Sequence, residues 1–259
     1  MKKNLLTLAL LCAGSVSAQN PIIQTHYTAD PAPVVYNDTL FLYVGCDEDD
    51  APHNAYLMRE YRLYTTTDMV NWTDHGAVLR TSAFSWSAGD ASAAQCIERE
   101  GKYYFYISSQ NKVKPGSSIG VAVADSPYGP FRDALGHGLV TNDMTTYAKH
   151  SWDDLDPTVA IDSDGQAWLY WGNGVCYKAK LNRDMVSLAS DIEAMDKNDK
   201  AIFHESFTEA PWVYERGGHC YMIYASKFPE SIHYSMAKSM AGPWKAAGVV
   251  MPLERGSNT

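Results

Sequence analysis

The chain has 259 residues and a formal net charge of −9. An acidic surface of this kind argues against nucleic acid or an anionic membrane as partner, and it suits a neutral ligand. No apolar run after the first residues is long enough to span a bilayer.

The amino terminus has the layout of a secretory signal peptide. Lys2 and Lys3 give a positive start, Leu5 to Ala13 an apolar stretch, and Val16-Ser17-Ala18 a small-residue cleavage site. Residues 1–18 are therefore expected to be removed by a cut after Ala18, giving a periplasmic or secreted protein. Cys12 keeps a lipoprotein anchor open, although Leu11 stands where lipidation signals usually carry a small residue. About 240 residues remain, enough for one large all-β domain over 19–259. Cys46, Cys96, Cys176 and Cys220 each fall in or beside an apolar run, where cysteine behaves as a small hydrophobe.

Four segments then repeat one pattern: an acid, a short apolar run, a turn, and an aromatic-rich run. They begin at Asp30, Asp90, Asp156 and Glu209 and reach Leu40–Val44, Tyr103–Ile107, Ala167–Trp171 and Tyr221–Tyr224. Turn dipeptides such as Asn37-Asp38 and Gly217-Gly218 separate the two runs of a unit, a hairpin signal. A third run and a surface segment follow each unit, for example Ile119–Val123 with Ser126-Pro-Tyr-Gly-Pro-Phe131. Four strands per unit, recurring at intervals of about 53 to 66 residues, describe the blades of a β-propeller. Four blades are nearly complete by Pro252, so the chain is expected either to be four-bladed or to lack a fifth, C-terminal blade; the ending Gly256-Ser-Asn-Thr259 favours the second.

In a propeller the innermost strand of each blade lines the central channel. The four acids all stand at the start of that strand and are expected to converge at one end of it. Like charges held together raise one another's pKa, a cost tolerated mainly at functional sites. Glycoside hydrolysis wants this arrangement, because a protonated carboxyl must donate to the leaving oxygen while an ionised one activates water. Spacing alone does not say which residue has which role.

Thr28-Ala-Asp-Pro-Ala-Pro33, Leu155-Asp-Pro-Thr-Val-Ala-Ile-Asp162 and Phe207-Thr-Glu-Ala-Pro-Trp212 closely resemble the three signature segments of glycoside hydrolase family 43. That resemblance implies a five-bladed propeller that inverts configuration and acts on arabinose- and xylose-containing plant glycans. It makes Asp30 the general base, Asp156 the residue that orients and tunes the acid, and Glu209 the general acid. It also implies an exo-acting α-L-arabinofuranosidase or β-xylosidase. An endo-arabinanase, or a silent propeller that only binds glycans, stays open as the alternative.

The chain departs from that pattern at Asp90-Ala-Ser-Ala-Ala-Gln95, where relatives often carry Trp and Pro. Trp86 is the candidate replacement for a sugar-stacking platform, against packing as the competing reading. Asp90 is expected to be structural or to contact substrate, as are His26 and Asp47 as further pocket candidates. The chemistry needs no cofactor. A structural calcium in the central channel is kept open, although Asp47-Glu-Asp-Asp50 lacks the spaced ligands of a calcium loop. No metal ligands are assigned. A propeller phosphorylase would want a basic phosphate site, and no Arg/Lys cluster stands near the motifs. The expected partner is an oligo- or polysaccharide.

Overall fold

The computed structural model describes residues 21–52 and 55–253. The expected signal segment, Cys12 and the Gly256–Thr259 ending lie outside the described residues. The chain forms four antiparallel sheets, each a meander in chain order. Blade 1 holds β1 (Thr28–Tyr36), β2 (Thr39–Asp47), β3 (Met58–Thr66) and β4 (Thr73–Arg80). Blade 2 holds β5 (Ser87–Arg99), β6 (Lys102–Asn111), β7 (Ser117–Ala124) and β8 (Arg132–Asp133), and β9 (Val140–Thr141) also pairs with β7. Blade 3 holds β10 (Thr158–Ile161), β11 (Ala167–Trp171), β12 (Cys176–Leu181) and β13 (Glu193–Met195). Blade 4 holds β14 (Glu209–Arg216), β15 (His219–Ser226), β16 (Ser231–Ala237) and β17 (Lys245–Met251). This is the expected all-β propeller of four-stranded blades, and the four described blades are consistent with a five-bladed ring.

The hairpins follow from turn chemistry. Asn37 and Asp38 both have positive φ, as do Glu100 and Gly101, and Gly217 and Gly218. Each pair forms a two-residue loop closing the first hairpin of its blade, with Tyr36 opposite Thr39, Arg99 opposite Lys102 and Arg216 opposite His219. Two positive-φ residues make the turn whose twist matches the flanking strands.

The core lies between blades rather than within one sheet. Tyr43, Tyr61 and Leu63 of blade 1 meet Phe105 and Phe131 of blade 2. Tyr106 and Val121 of blade 2 meet Leu169 and Trp171 of blade 3, and Trp168 of blade 3 meets Val213 and Tyr224 of blade 4. One joint recurs. The tyrosine closing the second strand's aromatic run reaches a carbonyl in the surface segment of the next blade: Tyr43 donates to Pro127 O at 2.6 Å, Tyr106 to Met185 O at 2.6 Å, and Tyr170 to Met240 O. Each hydroxyl thereby finds the partner a buried polar group requires, and each blade is pinned to its neighbour. Cys46, Cys96, Cys176 and Cys220 fall one per blade, buried and unpaired, as their apolar settings imply.

Candidate active site

The inner strands β1, β5, β10 and β14 pack side by side around the axis. They are stitched by side chains: Gln95 Oε1 accepts from the Val159 amide, and Thr158 Oγ1 accepts from the Val213 amide at 3.2 Å. At the end of these strands where the acids lie, the backbone is irregular. The β1 ladder is interrupted between Ala29 and Ala32, and the β14 ladder between Glu209 and Trp212. Asp30 (φ 53°), Asp156 (φ 56°) and Ala210 (φ 53°) are all left-handed, and each precedes a proline. A non-glycine residue held there costs about 1–3 kcal/mol and persists only where its surroundings enforce it. The bulges and left-handed links turn the chain at the channel mouth and re-aim the side chains.

This register refines the repeat. Asp30 and Asp156 occupy equivalent left-handed positions, whereas in blade 4 that position is Ala210. Glu209 therefore leaves the backbone one residue earlier than the other two acids. Asp156 Oδ2 accepts from the Ala210 amide at 3.0 Å, which ties the Asp156 carboxyl to the peptide following Glu209.

The three acids do come together. Asp30 feels the charges of Asp47 and Glu209, and its pKa is raised to about 6, with loss of hydration the largest cause. Burial drives the Asp156 carboxyl well above the usual range, followed by the charges of Glu209 and Asp30. Glu209 is also raised by burial, against a lowering hydrogen bond from Asn173. A cluster of carboxylates that disfavour one another's ionisation is suited to exchanging protons near neutral pH.

Of the remaining expected residues, Asp47 stays close enough to Asp30 for its charge to act there. Asp90 is partly buried, with a pKa raised mainly by desolvation, and the backbone amides of Met58 and Ala91 hydrogen-bond its carboxyl. That is an anchoring role between blades 1 and 2. Trp86 is a correction: it is 2% exposed and packs on Phe84 with ring centroids 5.5 Å apart. Gly120 makes its space, since a Cβ there would stand 2.4 Å from Trp86 Cζ2. Neither ring face is free to stack on a sugar. His26 and Asp47 line a cleft of about 710 Å³ on blade 1. The His26 ring lies 3.0 Å from Thr25 Oγ1 and 3.5 Å from the Tyr64 hydroxyl. That cleft also contains a basic cluster not visible from the motifs: Arg59, Arg62 and Arg80. Each is already paired, Arg59 with Asp50 and Glu48, Arg62 with Glu60 and Asp74, and Arg80 with Glu60.

Sequence reasoning missed four features. Tyr61 of β3 is buried at the centre, with its hydroxyl donating to Ser92 O at 2.6 Å and lying within the field of Asp30, Asp156 and Asp90. Glu230, between β15 and β16, is a further carboxyl near Glu209, and burial and that charge raise its pKa to about 7. Asn173 donates to Glu209 Oε2. Trp152 is 52% exposed, stacked on His150 at 4.2 Å, four residues before Asp156. Of these only the exposed aromatic leaves a trace in sequence, through its closeness to Asp156. Among the described residues no group of three or more His, Cys, Asp or Glu side chains is arranged to hold a metal ion.

A family model described as glycosyl hydrolases family 43 matches residues 18–258. The chain belongs to that family. Among its family 43 relatives, an arabinoxylan arabinofuranohydrolase of Bacillus subtilis is 27% identical over 91% of this chain and 52% of its own length. A xylosidase/arabinosidase of Humicola insolens is 28% identical over 89% of this chain and 82% of its own. A solved α-L-arabinofuranosidase from Clostridium thermocellum superposes with a TM-score of 0.72 at 33% identity, covering 90% of this chain and 76% of that one. The chain thus spans about half the length of the Bacillus subtilis relative. No helix among the described residues is long and apolar enough to cross a membrane.

Proposed function

We propose that this chain is an inverting glycoside hydrolase acting on arabinose- or xylose-containing plant glycans, with exo removal of α-L-arabinofuranosyl or β-xylosyl units as its activity. The observation that carries this is the convergence of Asp30, Asp156 and Glu209 from three blades, two of them on left-handed backbone. A protein that only binds glycans has no use for carboxyls that raise one another's pKa. Residues 19–259 then contribute a catalytic propeller domain.

The roles are those the family resemblance implies, and the environments are compatible with them. Asp30, with a pKa of about 6, is ionised at neutral pH, as a base that activates water must be. Burial raises Glu209, which favours the protonated form that an acid must start from. Asp156 orients it, through the Ala210 amide and through its field. Water gives a proton to Asp30 and attacks the anomeric carbon on the face opposite the leaving group. Glu209 protonates the departing oxygen as the glycosidic bond breaks, and the configuration inverts. Asp30 ends protonated and Glu209 ionised, and exchange with solvent resets both. Such a mechanism places the two carboxyls about 6.5–9.5 Å apart, leaving room for the water.

The test is turnover by the parent chain on para-nitrophenyl α-L-arabinofuranoside, para-nitrophenyl β-xyloside and linear arabinan, with the anomer of the first product followed by NMR. Release of an inverted monosaccharide is expected. Cleavage within arabinan chains would select endo action instead, and absence of any release would overturn the hydrolase reading. Glu209→Ala is expected to lose roughly 10²–10⁴-fold on an unactivated oligosaccharide, while keeping more activity on aryl glycosides whose leaving groups need little protonation. Export is inferred from residues 1–18, and mass spectrometry of the secreted protein is expected to find Gln19 at its amino terminus.

A further inference from the structure

The turn between β11 and β12 is built to hold one side chain against Glu209. Asn173 Nδ2 donates to Glu209 Oε2. The backbone around it is fastened on both sides. The Gly172 amide donates to Leu155 O at 2.8 Å and the Asn173 amide to Asp153 O at 3.0 Å, both in the segment leading to Asp156. The Gly174 amide donates to Thr208 O at 2.7 Å, in the residue before Glu209. The turn therefore bridges the two segments that carry Asp156 and Glu209.

Its upstream anchor is firm. Asp153 is fully buried, and its carboxyl accepts from Asn142 Nδ2 at 2.8 Å and from the Tyr177 hydroxyl at 2.7 Å. The turn also demands its glycine: Gly172 has φ +137°, and a Cβ there would lie 1.9 Å from Val175 O. So much structure around a single polar contact points to a purpose for the contact.

An amide NH2 group only donates. The oxygen it faces must accept, so in the acid form of Glu209 the proton rides on Oε1. Resting on the reading of Glu209 as the general acid, we propose that Asn173 is a positioning residue that holds the Oε2 edge of Glu209 and thereby presents its proton from Oε1 to the leaving-group oxygen. The other groups facing Glu209 are all acidic: Asp30 from β1, Asp156 ahead of β10, and Glu230 from the turn between β15 and β16. Burial makes the Glu209 proton harder to release, and Asn173 opposes it, because a donor favours the ionised form. It keeps the acid able both to hold its proton and to let it go.

The experiment uses the full chain carrying Asn173→Ala, with kcat/KM measured against pH on an unactivated arabino- or xylo-oligosaccharide and on an aryl glycoside with a good leaving group. The rate on the oligosaccharide is expected to fall roughly 10–100-fold, and the aryl glycoside to change by less than about threefold. The alkaline limb of the profile is expected to move up by about one pH unit, because the donor that favoured ionisation is gone. Asn173→Asp, isosteric but with a carboxyl in place of the amide, should move the limb further up. It carries the same readings if the alanine variant does not fold. Equal losses on both substrates with an unmoved limb would make the residue merely structural and overturn the proposal. A limb that moves down would mean that the amide accepts from the acid, which also overturns it. Should the parent chain turn over no glycoside, the hydrolase reading fails by itself. The positioning role is then read from a 13C NMR titration of the Glu209 carboxyl, assigned with Glu209→Gln, in parent and Asn173→Asp proteins. An unchanged midpoint there would sink it.

Discussion

Asp153 and Asp154 stand within three residues of Asp156, and the two groups use burial in opposite ways. Both Asp153 and Asp154 are fully buried. Asp153 accepts from Asn142 and Tyr177 at 2.8 and 2.7 Å, and Asp154 from Trp171 Nε1 and the Thr145 hydroxyl at 2.8 Å. Every oxygen has a neutral donor, so the pair fastens the segment ahead of β10. Asp30, by contrast, has no hydrogen-bond partner among the described residues, and it faces Asp47 and Glu209. A raised pKa does not separate the two groups: burial lifts Asp154 to about 7, higher than Asp30. What separates them is acceptor capacity left uncommitted at the channel mouth and turned toward other acids. An acid fully supplied with donors is a fastener. An acid left short of donors among its own kind is available for chemistry.

The sharpest break in this comparison is Asp30→Asn. Activity is expected to fall by roughly 10²–10⁴-fold, yet the protein should melt at a higher temperature at pH 7. A carboxyl whose pKa rises from 3.8 unfolded to about 6 folded binds more protons in the native state across that interval. Its contribution to stability is thus favourable below pH 4 and is lost as the pH climbs through 6. Melting scans of parent and variant should separate at pH 7 and merge below pH 4; the parent's own kcat/KM should decline as the pH drops through about 6. An Asp30→Asn protein that melts lower at pH 7 would place Asp30 among the fasteners.

Asp154→Ala is the converse. It strands the Trp171 and Thr145 donors in the interior and should cost about 2–4 kcal/mol in denaturant unfolding. Turnover per folded molecule should stay within a few-fold of the parent, and a large loss of kcat with stability intact would erase the distinction. The smallest effect is expected from Glu230→Gln. Glu230 carries the coupling to Glu209 in its own pKa of about 7, so its removal should move the alkaline limb by less than about one pH unit. A pH–rate profile on an unactivated oligosaccharide reads it.

The sequence carried the repeat and the acids because both are local. Asn37-Asp38 and Gly217-Gly218 declare their hairpins through backbone preferences that act within two residues. Asp30-Pro31 and Asp156-Pro157 announce equivalent corners in the same way. Glu209 looked equivalent because Pro211 follows it closely, and only the register of β14 reveals that Ala210 fills the corner. Trp86 was ambiguous because an aromatic residue near a site has the same letter whether it faces sugar or core. Its burial is decided by the vacancy at Gly120, more than thirty residues away in the chain on β7. Asn173 and Tyr61 join the site through contacts between blades, and Glu230 through a contact across blade 4, none of which a spacing rule connects.

One unpaired thiol sits in each blade: Cys46 in β2, Cys96 in β5, Cys176 in β12 and Cys220 in β15. Burial raises the pKa of all four, to about 12 for Cys96 and about 11 for Cys220. Ionisation and exposure, the two conditions an alkylating reagent needs, are both withheld until a blade opens. The fold has thereby given every blade its own silent clock. The order in which the four thiols accept a label would give the order in which the blades let go of the ring.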